Sequence, residues 1–257
     1  MSGDRFQSLT QIRASTGLRM ACLRGVPSPW TEAAKGIFRV KGLTCVYGAQ
    51  SEEDPDNALL DWYGDSGVPV VLNEVETPRT GWAEILILAE RLSDEPVLIP
   101  AAPAARADMF GLAHEICGEM GFGWAYRLLM IQESLSHGEE GPAFPPQIAN
   151  HLGTKYGFNP VHARRARDRV IDVLDLLSAR LADGQFFVGE ALTAVDIYWA
   201  VFANLMVPLP ESDLPAIPFI RDAYTCYDEE LLGHLSEALK AHQRRIYDDY
   251  LELPVPL

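Results

Sequence analysis

Ser28 stands directly before Pro29 and Trp30. Proline at a first helical position gives up an amide that would be unpaired anyway, and serine is a favoured N-cap, so the spacing predicts a helix starting at residue 29. The free amides and partial positive charge of such a start favour an anion, and the Ser28 hydroxyl adds one more donor. A plain structural cap needs the same residues, so the motif alone leaves both roles open. A second helix start is predicted at Arg79-Thr80-Gly81. There the Gly81 amide could meet a carboxylate, and Arg79 could add a charge-assisted bond. A third lies at Thr193-Ala194-Val195-Asp196, where the Asp196 carboxylate can reach back to the Thr193 amide and the hydroxyl can accept from the third helical amide. The apolar run Ile197 to Phe202 behind it predicts a buried helix start, which must satisfy its own amides.

Other reactive groupings are sparse. Cys22, Cys45, Cys117 and Cys226 are far apart, with no C-x-x-C spacing and no histidines at ligand spacing, and are expected to be reduced core thiols. No metal site is expected. His114 could act as an acid or base, although a lone helical histidine is more often a satisfied interior group. No Walker sequence, H-E-x-x-H or G-x-S-x-G occurs, and Gly118-x-x-Gly121-x-Gly123 lies between helices rather than after a strand.

The elements that must position these groups fall into two textures. After a polar leader (1–16), strands are predicted at Leu18–Leu23, Gly42–Tyr47, Val68–Leu72 and Glu74–Pro78, with helices from Trp30 to Val40 and from Gly81 onward. A thioredoxin-like α/β domain over 17–95 results. The prolines at 96, 100 and 103 mark a linker (96–103). From 104 to 257 helical patterns dominate: Ala104–Met120, Trp124–Leu135, Val161–Leu181, Thr193–Met206 and Leu231–Tyr250, an all-α helical-bundle domain. Val170, Val173, Leu174, Leu177 and Leu181 form one apolar stripe on the third of these helices. The segment 136–160, holding Pro142, Pro145 and Pro146, reads as an inserted loop.

Composition excludes several classes. The 257 residues carry a net charge of −15, with 9 Lys/Arg against 14 Asp/Glu in residues 1–100 and 12 against 22 in the rest, so neither half offers a basic face to nucleic acid. Arg164, Arg165, Arg167 and Arg169 cluster on one predicted helix and read as a solvated face rather than a binding patch. No apolar run is long enough to cross a membrane, and the N-terminus lacks a signal-peptide pattern, so a cytoplasmic protein without membrane partners is expected.

The run Phe187-Val-Gly-Glu-Ala-Leu-Thr-Ala-Val-Asp196 resembles the C-terminal-domain signature of the cytosolic glutathione transferase superfamily, and the order of an α/β domain before an α domain is similar too. Ser28-Pro29-Trp30 resembles that superfamily's Ser/Cys-Pro-aromatic motif, and Val68-Pro69-Val70 its cis-proline motif. The resemblance implies that Ser28 addresses the sulfur of glutathione, with Thr31 the nearest substitute hydroxyl. It implies a cis bond at Val68-Pro69 that leaves the backbone of Val68 free for the cysteinyl unit. It places the γ-glutamyl end at Arg79, Thr80 and Gly81, where the family's usual acid or amide followed by serine is missing, so glutathione binding is weakened there. Trp30, His114, Trp124 and Tyr126 would line a pocket for an apolar electrophile, between the first helix and the start of the α domain. Conjugation, ether cleavage, dehalogenation and isomerisation would all use one thiolate, and the family implies a homodimer. The alternatives are a non-catalytic scaffold of the same fold and a thiol-disulfide oxidoreductase, for which Cys22 lies too early, inside a strand.

Overall fold

A computed structural model describes residues 5–64, 67–137, 144–181 and 184–257. The chain divides into two compact units between Val97 and Leu98.

The first unit contains, in order, β1 (Phe6–Ser8), α1 (Leu9–Ala14), β2 (Leu18–Ala21), α2 (Pro29–Val40), β3 (Val46–Ala49), α3 (Ala58–Tyr63), β4 (Val70–Asn73) and α4 (Trp82–Leu92). Its four-stranded sheet runs β1-β3-β2-β4, with β1 and β2 parallel to β3 and β4 antiparallel to β2. Two expectations need correction. The leader is not a free polar segment: residues 6–14 add an edge strand and a helix, in register Phe6↔Tyr47 to Ser8↔Ala49. Residues 1–4 lie outside the described residues. Conversely, the strand expected at 74–78 is a turn that returns to the sheet in a single bridge, Val71↔Arg79, with both backbone bonds at 2.9 Å. The sheet still has four strands, but the fourth comes from the other edge.

The physical cause of the first correction lies about forty residues downstream. Asp54 accepts from the Leu9 amide (3.0 Å), the Thr10 amide (2.7 Å) and hydroxyl (2.8 Å), and the Ser51 amide (2.9 Å) and hydroxyl (3.0 Å), so it pins the start of α1 to the loop after β3. Leu9 and Ile12 then join Ala21, Leu59, Val70 and Leu72 in one apolar cluster. Gly48 makes room for them, because a Cβ there would collide with Ile12. Burial opposes ionisation of Asp54, but the donated bonds win and hold its carboxyl at about 2. A depressed folded value contributes stability that is present above about pH 4 and lost as pH falls toward 2. Amide exchange in residues 6–14 should therefore accelerate over that window while exchange in residues 160–181 of the second unit does not. Asp54→Ala should cost about 2 kcal/mol and bring the same segment into exchange at neutral pH.

The second unit holds α5 (Pro103–Cys117), α6 (Phe122–His137), α7 (Pro146–Lys155), α8 (Pro160–Leu181), α9 (Ala194–Phe202), α10 (Pro218–Tyr224), α11 (Glu229–His234) and α12 (Glu237–Tyr250). The apolar stripe of α8 is buried along its length. Two helical expectations change. The segment expected as an inserted loop contains α7, started by Pro146 at its first position, while 138–143, including Pro142, lie outside the described residues. The single helix expected over 231–250 is two, because Ser236 caps a new start by accepting from the Leu239 amide at 3.3 Å.

The start of α9 anchors this unit. Asp196 is fully buried and accepts from the Thr193 amide (2.9 Å), the Thr193 hydroxyl (2.9 Å) and the Phe187 amide (3.0 Å). His242 of α12, also buried, lies with Nε2 3.1 Å from the same carboxylate. One acid thus ties the turn before α9 to the helix start, with His242 of α12 beside it.

Candidate functional site

Ser28 is the N-cap of α2, yet its side chain makes no capping bond. Its own amide closes on the Val26 carbonyl at 2.8 Å and its carbonyl accepts from the Glu32 amide at 2.8 Å, while its half-buried hydroxyl has no partner among the described residues. Ser8, Asp228 and Ser236 behave differently, since each of those side chains accepts from its own helix. An ordinary cap is therefore not what Ser28 Oγ does. Thr31, the substitute hydroxyl, is fully buried with no partner for its oxygen, so it is closed off from any ligand. Glu32, an acid in the first turns of α2, is paired with Lys35 at 2.8 Å, which offsets the charge that would oppose an anion nearby. Burial pushes its carboxyl up.

The Val68-Pro69 bond is cis, as the resemblance implies. Pro69 is buried, and the amide and carbonyl of Val68 make no hydrogen bond among the described residues. The register Ala21↔Val70 puts the end of β2, which leads into the Ser28 loop, at the same sheet end as Pro69, and the bridge Val71↔Arg79 brings Thr80 and Gly81 up beside it. The topology thus gathers Ser28, Val68-Pro69 and 79–81 at one end of one sheet.

The carboxylate-binding role of 79–81 is where the structure departs from the expectation. Arg79 donates to Glu76 at 2.7 Å and to the Thr77 carbonyl at 2.9 Å, and Arg91 joins the same Glu76 carboxylate. Asn73 (2.7 Å) and both arginines hold that carboxyl below the usual range. At the start of α4, the space a side chain at Gly81 would fill is taken by the carboxylate of Glu84. The guanidinium is answered by Glu76 and a carboxylate stands beside Gly81, an arrangement that spacing alone does not reveal.

Within the second unit, Trp124 and Tyr126, expected to line one second-substrate pocket, do not share one. Trp124 and Tyr126, two apart on α6, face different cavities. Tyr126 lines one of about 460 Å3 with Met130, Glu133, Arg167 and Tyr227, whereas Trp124 lines another of about 540 Å3 with Tyr156, Lys155, His162 and Arg165. Two residues along a helix are about 200° apart, which is the reason. His114 is exposed on the last turn of α5 with its ring against Gly118. Trp30 is half-buried at the second position of α2.

The sequence places Arg127 in the region expected to border the second substrate but assigns it no role. Its guanidinium is 5% exposed, lies 5.3 Å from the Tyr224 ring centroid, 5.4 Å from Phe144 and 6.0 Å from Tyr156, and donates to the Tyr224 hydroxyl at 3.3 Å. Aromatic faces, rather than a described carboxylate, hold this cation. Only the aromatic spacing around it could have signalled this, and those rings come from three distant segments.

All four cysteines are free. Burial raises Cys22 to about 11 and also pushes Cys45 and Cys117 up, which disfavours a thiolate at these three positions. Among the described residues no cluster of His, Cys, Asp or Glu could hold a metal, and no helix is long and apolar enough to cross a membrane.

Residues 160–228 match the glutathione S-transferase C-terminal domain family. No curated protein sequence gives a match. Among solved structures, a glutathione S-transferase domain-containing protein from Marinobacter aquaeolei VT8 is similar with a TM-score of 0.64 at 17% identity, over 91% of this chain and 100% of that one. A glutathione transferase family member from Pseudomonas fluorescens pf-5, with two glutathione bound, reaches 0.61 at 15% identity over 93% of each chain. Glutathione transferase Omega 3C from Trametes versicolor reaches 0.59 at 15% identity, over 96% of this chain and 91% of that one. At such identities the likeness is one of fold: a thioredoxin-like α/β unit followed by an all-α unit.

Proposed function

From the cytosolic glutathione transferase fold that this chain carries, we propose a glutathione transferase-like enzyme in which the Ser28 hydroxyl donates a hydrogen bond to the thiolate of bound glutathione. The observation that carries the reading is the uncommitted Ser28 Oγ at a helix start whose carbonyl already serves the helix. A free thiol ionises near 8.5. A hydrogen bond to a charged group is worth about 1.5–3 kcal/mol and a helix dipole about 0.3–1 kcal/mol. At about 1.4 kcal/mol per pKa unit, together they lower the thiol by about one to three units, enough to populate the anion at neutral pH. The thiol proton leaves to solvent, the sulfur lone pair forms the new bond to an electrophilic carbon, and the displaced group departs with its electron pair.

The unpaired amide and carbonyl of Val68, held by Pro69, support a backbone grip on the cysteinyl unit, and Thr80 and Gly81 receive the γ-glutamyl end. The acceptor is an apolar electrophile, with Trp30, His114, Trp124 and Tyr126 the residues the resemblance nominates. The enzyme acts as a homodimer in the cytosol.

The test is the ultraviolet difference absorbance of the thiolate when glutathione is titrated onto the protein at several pH values. An apparent thiol pKa below about 7.5 is expected, and retention of the free value would overturn the reading. Glu84 sets the affinity. With its carboxylate over Gly81, the γ-glutamyl carboxylate must displace a like charge, so Glu84→Gln should bind glutathione about three- to tenfold more tightly by calorimetry. If neither form binds, the scaffold alternative replaces the enzyme.

A further inference from the structure

The charges beside the thiol site are set against an anion at its far end. Arg79 is engaged on both terminal nitrogens, one on Glu76 at 2.7 Å and the other on the Thr77 carbonyl at 2.9 Å. Arg91 shares the same carboxylate, and Asn73 holds its second oxygen at 2.7 Å. At the start of α4, Gly81 offers no hydroxyl, and the Glu84 carboxylate stands in the space that a side chain at Gly81 would fill. Glu84 is exposed and makes no ion pair among the described residues. As the first-turn acid of α4 it already offsets the positive end of that helix, so a ligand carboxylate arriving there gains less and meets a like charge. An ammonium group arriving there meets a carboxylate with no cation of the described chain upon it. The position is within reach of the thiol. The bridge Val71↔Arg79 lies two residues, about 7 Å, from Pro69 along the strand, so a group one extended residue beyond a cysteinyl unit at Val68 arrives at the start of α4.

Given the thiol role of Ser28, on which this rests, we propose that the thiol substrate is a cysteinyl peptide whose amino end carries an ammonium group without a neighbouring carboxylate. Glu84 selects it by accepting from that ammonium. Free glutathione carries both charges at this end. The helix amides draw its carboxylate toward α4, directly against Glu84, so repulsion outweighs attraction. A thiol without that carboxylate keeps only the attraction. The Ser28 donor and the backbone at Val68-Pro69 address the sulfur and the cysteinyl unit, so they serve either thiol alike. Every residue involved belongs to the first unit.

Calorimetric titration at neutral pH compares glutathione, glutathione amidated at the α-carboxyl of its glutamyl residue, and glutathione amidated at its glycine carboxyl. The wild-type protein should bind the glutamyl amide about tenfold or more tightly than glutathione, and the glycine amide within about threefold of it. Glu84→Gln, an exposed change that should leave thermal unfolding as it is, should tighten glutathione and weaken the glutamyl amide, so that their ratio falls about tenfold or more. Added salt should shrink the wild-type ratio. Thiolate absorbance of each bound thiol reads the Ser28 contact separately. Equal binding of glutathione and its glutamyl amide, or a ratio that Glu84→Gln leaves unchanged, overturns the role of Glu84; a lowered thiol pKa in the same titration keeps the Ser28 reading standing. An unshifted thiol pKa, or no binding of any of the three at millimolar concentration, overturns the Ser28 reading and this proposal with it.

Discussion

Ser28→Ala should lower thiol-dependent turnover of an aryl halide by about a hundred- to a thousandfold, the loss seen when one preorganised donor to a developing or bound anion is removed. The protein should fold normally, because Ser28 Oγ makes no capping bond that the substitution would break. The change should fall mainly on kcat. The pH profile of kcat/KM should move its acidic limb upward by about one to two units, as the thiol loses the hydrogen bond but keeps the helix start. Thr31→Val is the matched control. Its hydroxyl is buried and unpartnered, so the substitution removes a desolvated polar group and should keep turnover while stabilising the protein by about 1 kcal/mol. Turnover of Ser28→Ala within about threefold of wild type, or loss of turnover in Thr31→Val alone, would remove Ser28 from the catalytic role.

Asp196→Ala should be the most destabilising single change in the second unit. It leaves the amides of Phe187 and Thr193 and the Thr193 hydroxyl buried without their acceptor, and deprives His242 of its neighbouring charge. Orphaned buried donors cost about 1–3 kcal/mol each, and breaking a buried charge network about 3–5 kcal/mol. Against a total stability of about 5–15 kcal/mol, a loss near 4 kcal/mol or more is expected in urea unfolding, together with poor soluble yield. Asp196→Asn keeps one acceptor oxygen and should lose about half as much. A loss under 1 kcal/mol for the alanine variant would mean that the turn before α9 stands without it.

Much of the site's local chemistry was readable in order along the chain. Ser28-Pro29, Val68-Pro69 and Thr193-x-x-Asp196 each specify a conformation over four residues or fewer, because capping and the proline ring act on adjacent backbone. The stripe of α8 was equally plain, since a period of 3.6 over twenty residues has no other physical meaning. What failed to show was everything that depends on a distant partner. Residues 6–14 look polar and unstructured until β3 supplies a ladder and Asp54 a clamp. The stretch 74–78 looks like a strand, but β propensity is realised only where a neighbour pairs, and here one bridge forms.

Sequence alone determined where α2, α4 and α9 begin, which hydroxyl sits at the start of α2, and which fold those signals belong to, since each rests on contacts between near neighbours. Tertiary structure alone decided that this hydroxyl is left uncommitted, that Glu76 answers Arg79 while the Glu84 carboxylate stands beside Gly81, and that Trp124 and Tyr126 open onto separate cavities. Side-chain pairing and facing are settled by which groups packing brings within hydrogen-bond reach, and that information is spread over the whole chain rather than held in any motif.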